Sequence, residues 1–133
     1  MRFLLDTNAC IGVLRGRSLG LAERLEAIPP EDVALCSIVV AELLFGARKS
    51  ARTEQNLAVV RLFASKFHSL PFDDDAAEHY ARIRAELDAM GLPIGPNDLM
   101  IASIARAKQL VIVSHNVSEF GRVQGLQVED WEA

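Results

Sequence analysis

Residues 3–8, Phe3-Leu4-Leu5-Asp6-Thr7-Asn8, set three apolar side chains directly against an acid and two more residues that favour helix starts. An apolar run without polar alternation reads as a strand covered on both faces, and a helical pattern follows from Ala9. Val33 to Ile38 and Leu110 to Val113 have the same character. Between these runs the spacing turns helical. Leu57, Val60, Ala64 and Phe67 recur at steps of three and four, as do Ala76, Tyr80, Ile83, Leu87 and Met90. Strands alternating with helices predict an α/β domain whose mostly parallel sheet carries helices on both faces.

The punctuation agrees. Gly16 follows Arg15 as a helix stop, Pro29-Pro30 precedes the second strand, and Gly91 follows Met90 as a C-cap. Asp73-Asp74-Asp75 precedes a helical pattern and reads as capping and dipole compensation. With 133 residues, half of them hydrophobic and 24% charged, the chain is expected to form one globular domain over 1–133. Its net charge of −4 excludes the broad positive field of a general nucleic-acid binder. The N-terminal apolar run stops at Asp6, far short of a signal-peptide core, and no stretch approaches the roughly 18 apolar residues of a membrane span. A soluble, cytoplasmic protein is expected. Cys10 and Cys36 sit in apolar segments without a CxxC spacing and read as reduced core residues.

Ligands of an open parallel sheet gather beyond the carboxyl ends of its strands, so acids there are candidates for chemistry. Asp6 directly follows the first strand, although Asp is also a preferred N-cap. Glu42 lies among apolar residues in Ala41-Glu42-Leu43-Leu44-Phe45-Gly46, where a carboxylate needs a partner or a task; the plainer account is an exposed stripe or a pair with Arg48 or Lys49. Asp98 ends the proline-set turn Pro93-Ile94-Gly95-Pro96-Asn97-Asp98 and opens an apolar helix, where dipole compensation also suits it.

Together the three carry more weight, because the predicted fold brings them to one edge. Two carboxylates about 4 Å apart repel by about 4 kcal/mol at an effective dielectric near 20, which protonation or a cation offsets. Oxygen-only ligation favours Mg²⁺ or Mn²⁺ over zinc, and such ions commonly bind phosphate oxygens as well. Phosphodiester chemistry follows. Arg15, Arg17, Arg48, Lys49 and Arg52 are available for phosphate contacts, or equally for solubility and helix ends.

At these residues the chain resembles the PIN-domain family, and within it the VapC-type ribonuclease toxins of bacterial VapBC modules. Leu5-Asp6-Thr7-Asn8, Ala41 to Ala47 and Pro93 to Asp98 resemble its three successive motifs, and Val113 to Phe120 and Val128 to Trp131 resemble its ending. The resemblance implies a three-layer α/β/α sandwich, Mg²⁺- or Mn²⁺-dependent endoribonuclease activity, a homodimer and a cognate VapB-type antitoxin. It assigns Asp6, Glu42 and Asp98 to the acidic site and its metal, with Asn116 where many relatives carry a fourth acid. Whether Glu119 reaches inward is left open, as are the roles of Thr7 and Ser114. His115 reads as an exposed loop residue. RNA is the implied substrate, with tRNA, and the anticodon region of initiator tRNA, as the specific expectation. Two other readings stand beside this one. A receiver-like phospho-acceptor domain shares the length and strand-end acids but would want an acidic pair after the first strand. An inactive PIN-like binding module would account for the missing fourth acid.

Overall fold

The computed structural model describes residues 1–132. β1 (Phe3–Leu5) leads through α1 (Thr7–Leu14) and α2 (Leu19–Ala27) to β2 (Val33–Cys36). The chain continues through α3 (Ser37–Lys49) and α4 (Thr53–Ala64) to β3 (His68–Leu70), then through α5 (Asp74–Met90) and α6 (Pro96–Ala107) to β4 (Val111–Val113). A single turn, α7 (Val117–Phe120), precedes β5 (Val128–Glu129).

The sheet order is β3-β2-β1-β4-β5, with every neighbouring pair parallel. Leu5 lies opposite Val113, and Cys36 opposite Leu70, so the strands finish along a common edge. The chain moves outward from β1 to β3 and then returns past β1 to β4. Right-handed crossovers therefore put α1–α4 on one face and α5–α7 on the other, which makes three layers. The reversal opens a crevice beside β1 at the carboxyl edge.

Burial explains why the central strands read so clearly. Every residue of β1 and β2 is buried, and Leu4, Leu5, Leu35 and Ile112 are wholly inaccessible. Each such side chain contributes about 1.5–3 kcal/mol relative to an exposed one. Trp131, just past β5, is buried with its ring edge-on to Phe3 of the central strand at 5.1 Å. Both cysteines are free and buried, and burial pushes the Cys36 thiol up to about 11. Among the described residues, no helix is long and apolar enough to cross a membrane.

Several details differ from expectation. The apolar run from Val33 leaves the sheet at Cys36, and Ser37-Ile38-Val39-Val40 begins α3. Burial of Val39 outweighs the weak helix propensity of β-branched residues there. α1 begins at Thr7 because Asp6 itself caps it. α4 ends at Ala64, so Phe67 packs from the following turn rather than from the helix. Met90 is exposed, while Ala76, Ile83 and Leu87 form the buried stripe of α5. The expected stops hold: Gly16 and Gly91 adopt left-handed φ of 62° and 68°, and Asp73 accepts from the Ala76 N–H at 3.0 Å.

Candidate active site

Three elements deliver the predicted acids to the crevice. Asp6 leaves β1 and caps α1, with the Ala9 N–H donating to Oδ1 at 2.8 Å. Ser114, just past β4, accepts the Asn116 N–H at 2.9 Å, and its hydroxyl beside Asp6 works to lower that carboxyl. Glu42 lies on the second turn of α3, half-buried, where the Thr7 hydroxyl donates to its Oε1 at 2.6 Å. It thus takes its bond from Thr7, and not from Arg48 or Lys49. Asp98 occupies the first turn of α6, after Pro96. Asp6, Glu42 and Asp98 all line one open cleft of ≈ 680 Å³, with Thr7, Phe45 and Asn97 on its walls.

Asn116 sits beyond β4 and works through a neighbour. Its Nδ2 donates to Glu119 Oε2 at 2.7 Å, while the Gly95 N–H donates to Glu119 Oε1 at 2.5 Å. A Cβ built on Gly95 would lie 3.6 Å from Glu119 Oε1 and 4.0 Å from Asp98 Oδ2, so the two carboxylates flank this residue. Both also face the N-terminus of α6, whose dipole favours negative charge. Glu119 is thus a further acid beside the three. The only hint of it in the sequence is its spacing, one helical turn after Asn116.

The electrostatics record crowding. Asp98 is pushed up to about 6, first by burial and then by the charges of Glu119, Asp6 and Glu42. Burial also raises Asp6, against the lowering hydrogen bonds from Ser114 and Ala9, while Glu132 and Glu42 add repulsion. Among the described residues, none of Asp6, Glu42, Asp98 and Glu119 forms an ion pair with a protein cation.

Arg17 is engaged elsewhere. Its guanidinium binds Glu132 through two nitrogens at 2.9 and 3.0 Å and donates to the Asn8 carbonyl. It crosses Gly12 so closely that a Cβ there would lie 2.7 Å from Nη2. Arg15, Arg48, Lys49 and Arg52 are exposed. His115 is exposed too, as expected, and pairs with Asp130 at 3.0 Å.

Among the described residues, the ligand atoms of His115, Asp130 and Glu132 already lie within 4.8 Å of one another, while the cleft carboxylates are spread more widely. The first group, however, is engaged by Arg17 and by its own His115–Asp130 pair. The cleft offers oxygen donors alone, mutually repelling and without a protein cation, which suits a hard divalent ion such as Mg²⁺ or Mn²⁺.

Comparison with known proteins gives the same outline. The PIN domain family model matches residues 3–126. A Shigella flexneri protein named tRNA(fMet)-specific endonuclease VapC is 43% identical over 131 residues, covering 98% of each chain. Haemophilus influenzae ribonuclease VapC2 is 40% identical over the same length and share. Among solved structures, the DNA-bound VapBC of Salmonella typhimurium contains a chain that matches with a TM-score of 0.93 at 42% identity, 98% of both chains being covered. The chain belongs to the PIN domain family, among its VapC-type ribonuclease toxins.

Proposed function

We propose that this chain is a Mg²⁺- or Mn²⁺-dependent endoribonuclease that hydrolyses RNA phosphodiester bonds and is restrained by a cognate VapB-type antitoxin. One observation carries the reading: acids distant in sequence line a single open cleft and, among the described residues, pair with no protein cation. A divalent ion bound there supplies Lewis-acid polarisation of the phosphodiester and acidifies a water molecule. Asp6 and Asp98 are the residues proposed to hold it, with Glu42 and Glu119 completing the negative field. The Thr7 hydroxyl fixes the Glu42 carboxylate, and Asn116 with the Gly95 N–H fixes Glu119. Asn116 is therefore assigned a positioning role in the site.

Transfer RNA is the proposed substrate class, with initiator tRNA first. Support comes from the 43% identity to a relative named for tRNA(fMet) and from the open cleft, which suits an unpaired loop better than a duplex. The antitoxin is proposed to lie in the neighbouring groove of ≈ 260 Å³ lined by Ile11, Leu14, Leu43, Ala47 and Val59. Glu42 lines both that groove and the cleft, so a segment held in the first reaches the second. A homodimer is proposed as well, consistent with exposed Leu19 and Leu62.

Purified, antitoxin-free chain incubated with a tRNA mixture tests the reading. Cleavage is expected with Mg²⁺ or Mn²⁺, none with chelator, and none from Asp6→Asn. Cutting that persists in both controls would overturn it.

A further inference from the structure

We propose that Phe45 is a stacking platform for an unpaired RNA base next to the cleaved phosphate, with Lys49 holding the adjoining backbone; the inference rests on the ribonuclease reading above. Ile38, Glu42, Phe45 and Lys49 recur along α3 at steps of four, three and four, which aligns them in one stripe. Ile38, Glu42 and Phe45 from that stripe line the cleft, and Met100 lines it from α6.

Phe45 is 66% exposed, an unusual state for a large aromatic ring beside a cluster of acids. The Lys49 ammonium lies 5.6 Å from its ring centroid, near enough for a cation–π contact. An aromatic face, an adjacent cation and an acid one turn away match the parts of an unpaired nucleotide: the base, its phosphate and the ion-bound scissile group. Single-stranded nucleic acids are held in this manner, by stacking combined with backbone neutralisation. Phe45 does not line the apolar groove assigned to the antitoxin, so its face is continuous with the substrate cleft instead.

Phe45→Ala, Phe45→Leu, Phe45→Tyr and Phe45→Trp test this in the full chain. Phe45→Ala and Phe45→Leu should raise KM for tRNA about tenfold with kcat within about twofold, and Phe45→Tyr should restore KM. Lys49→Gln should raise KM and flatten its salt dependence. In Phe45→Trp the new indole is exposed, whereas Trp131 is buried, so its emission reports the face directly. A short unstructured oligoribonucleotide should quench that emission, and an abasic strand of equal length should not. Wild-type KM in Phe45→Leu, or equal quenching by both strands, overturns the proposal. So does a Phe45→Ala defect confined to antitoxin binding or dimerisation, which would give this face to a protein partner. Base-dependent quenching without RNA cleavage by the wild type would instead sink the ribonuclease reading and leave the stacking contact standing.

Discussion

Around the C-terminal segment, Glu132 grips Arg17, Glu129 meets Arg24 at 3.2 Å and Asp130 meets His115, whereas Asp6, Glu42 and the nearby Glu119 are held by neutral donors. Thr7, Ser114, Asn116 and the Ala9 and Gly95 N–H groups fix those carboxylates without cancelling their charge. The contrast separates two uses of an acid. Paired with a guanidinium, it ties down a chain segment; positioned by hydroxyls and amides, it keeps its negative field for something that arrives from outside.

The largest test of this contrast exchanges charge for shape in each region. Asp98→Asn should lower RNA cleavage at least about 100-fold, while Asp130→Asn should leave it within a few-fold, as read by gel assays on matched preparations. Equal losses would erase the distinction. A middle tier concerns the neutral donors: Thr7→Val and Asn116→Ala should each cost about 10- to 100-fold in activity, with partial recovery at raised Mn²⁺. Recovery would distinguish a weakened ion site from a damaged fold.

Titration sharpens the comparison further. The folded Asp98 carboxyl is raised from 3.8 to about 6, so between those values the folded chain binds more protons than the unfolded one. Without divalent ions, stability should therefore fall as pH rises from about 4 to about 6, and Asp98→Asn should flatten that slope in thermal melts. Mg²⁺ added at pH 7 should raise the melting temperature of the wild type and leave Asp98→Asn unmoved. The smallest effect belongs to the paired region. Because the Arg17 guanidinium is itself largely exposed, Arg17→Ala should lower the melting temperature only modestly, and less at high salt, although the Glu132 carboxylate it leaves behind is mostly covered.

What the sequence reveals follows burial closely. Phe3 to Leu5 and Val33 to Cys36 are enclosed on both faces, and such strands write themselves as unbroken apolar runs. β3 and β5 left no comparable trace, since His68 and Ser69 are exposed, and Val128–Glu129 is only two residues long. Their pairing is dictated by neighbours rather than by their own side chains. The same division applies to the cleft. Asp6, Glu42 and Asp98 interrupt apolar surroundings and are conspicuous. Glu119 belongs to a helix of a single turn, and its approach to Gly95 depends on a loop path that no local pattern encodes.

Asp6 ties folding to chemistry through one side chain. Losing its carboxylate to alanine removes the anchor of the first helix, at about 1 kcal/mol, whereas asparagine can keep that anchor. Replacing this acid by its amide thus removes the charge while leaving the helix start anchored, so charge and fold can be separated at a single position.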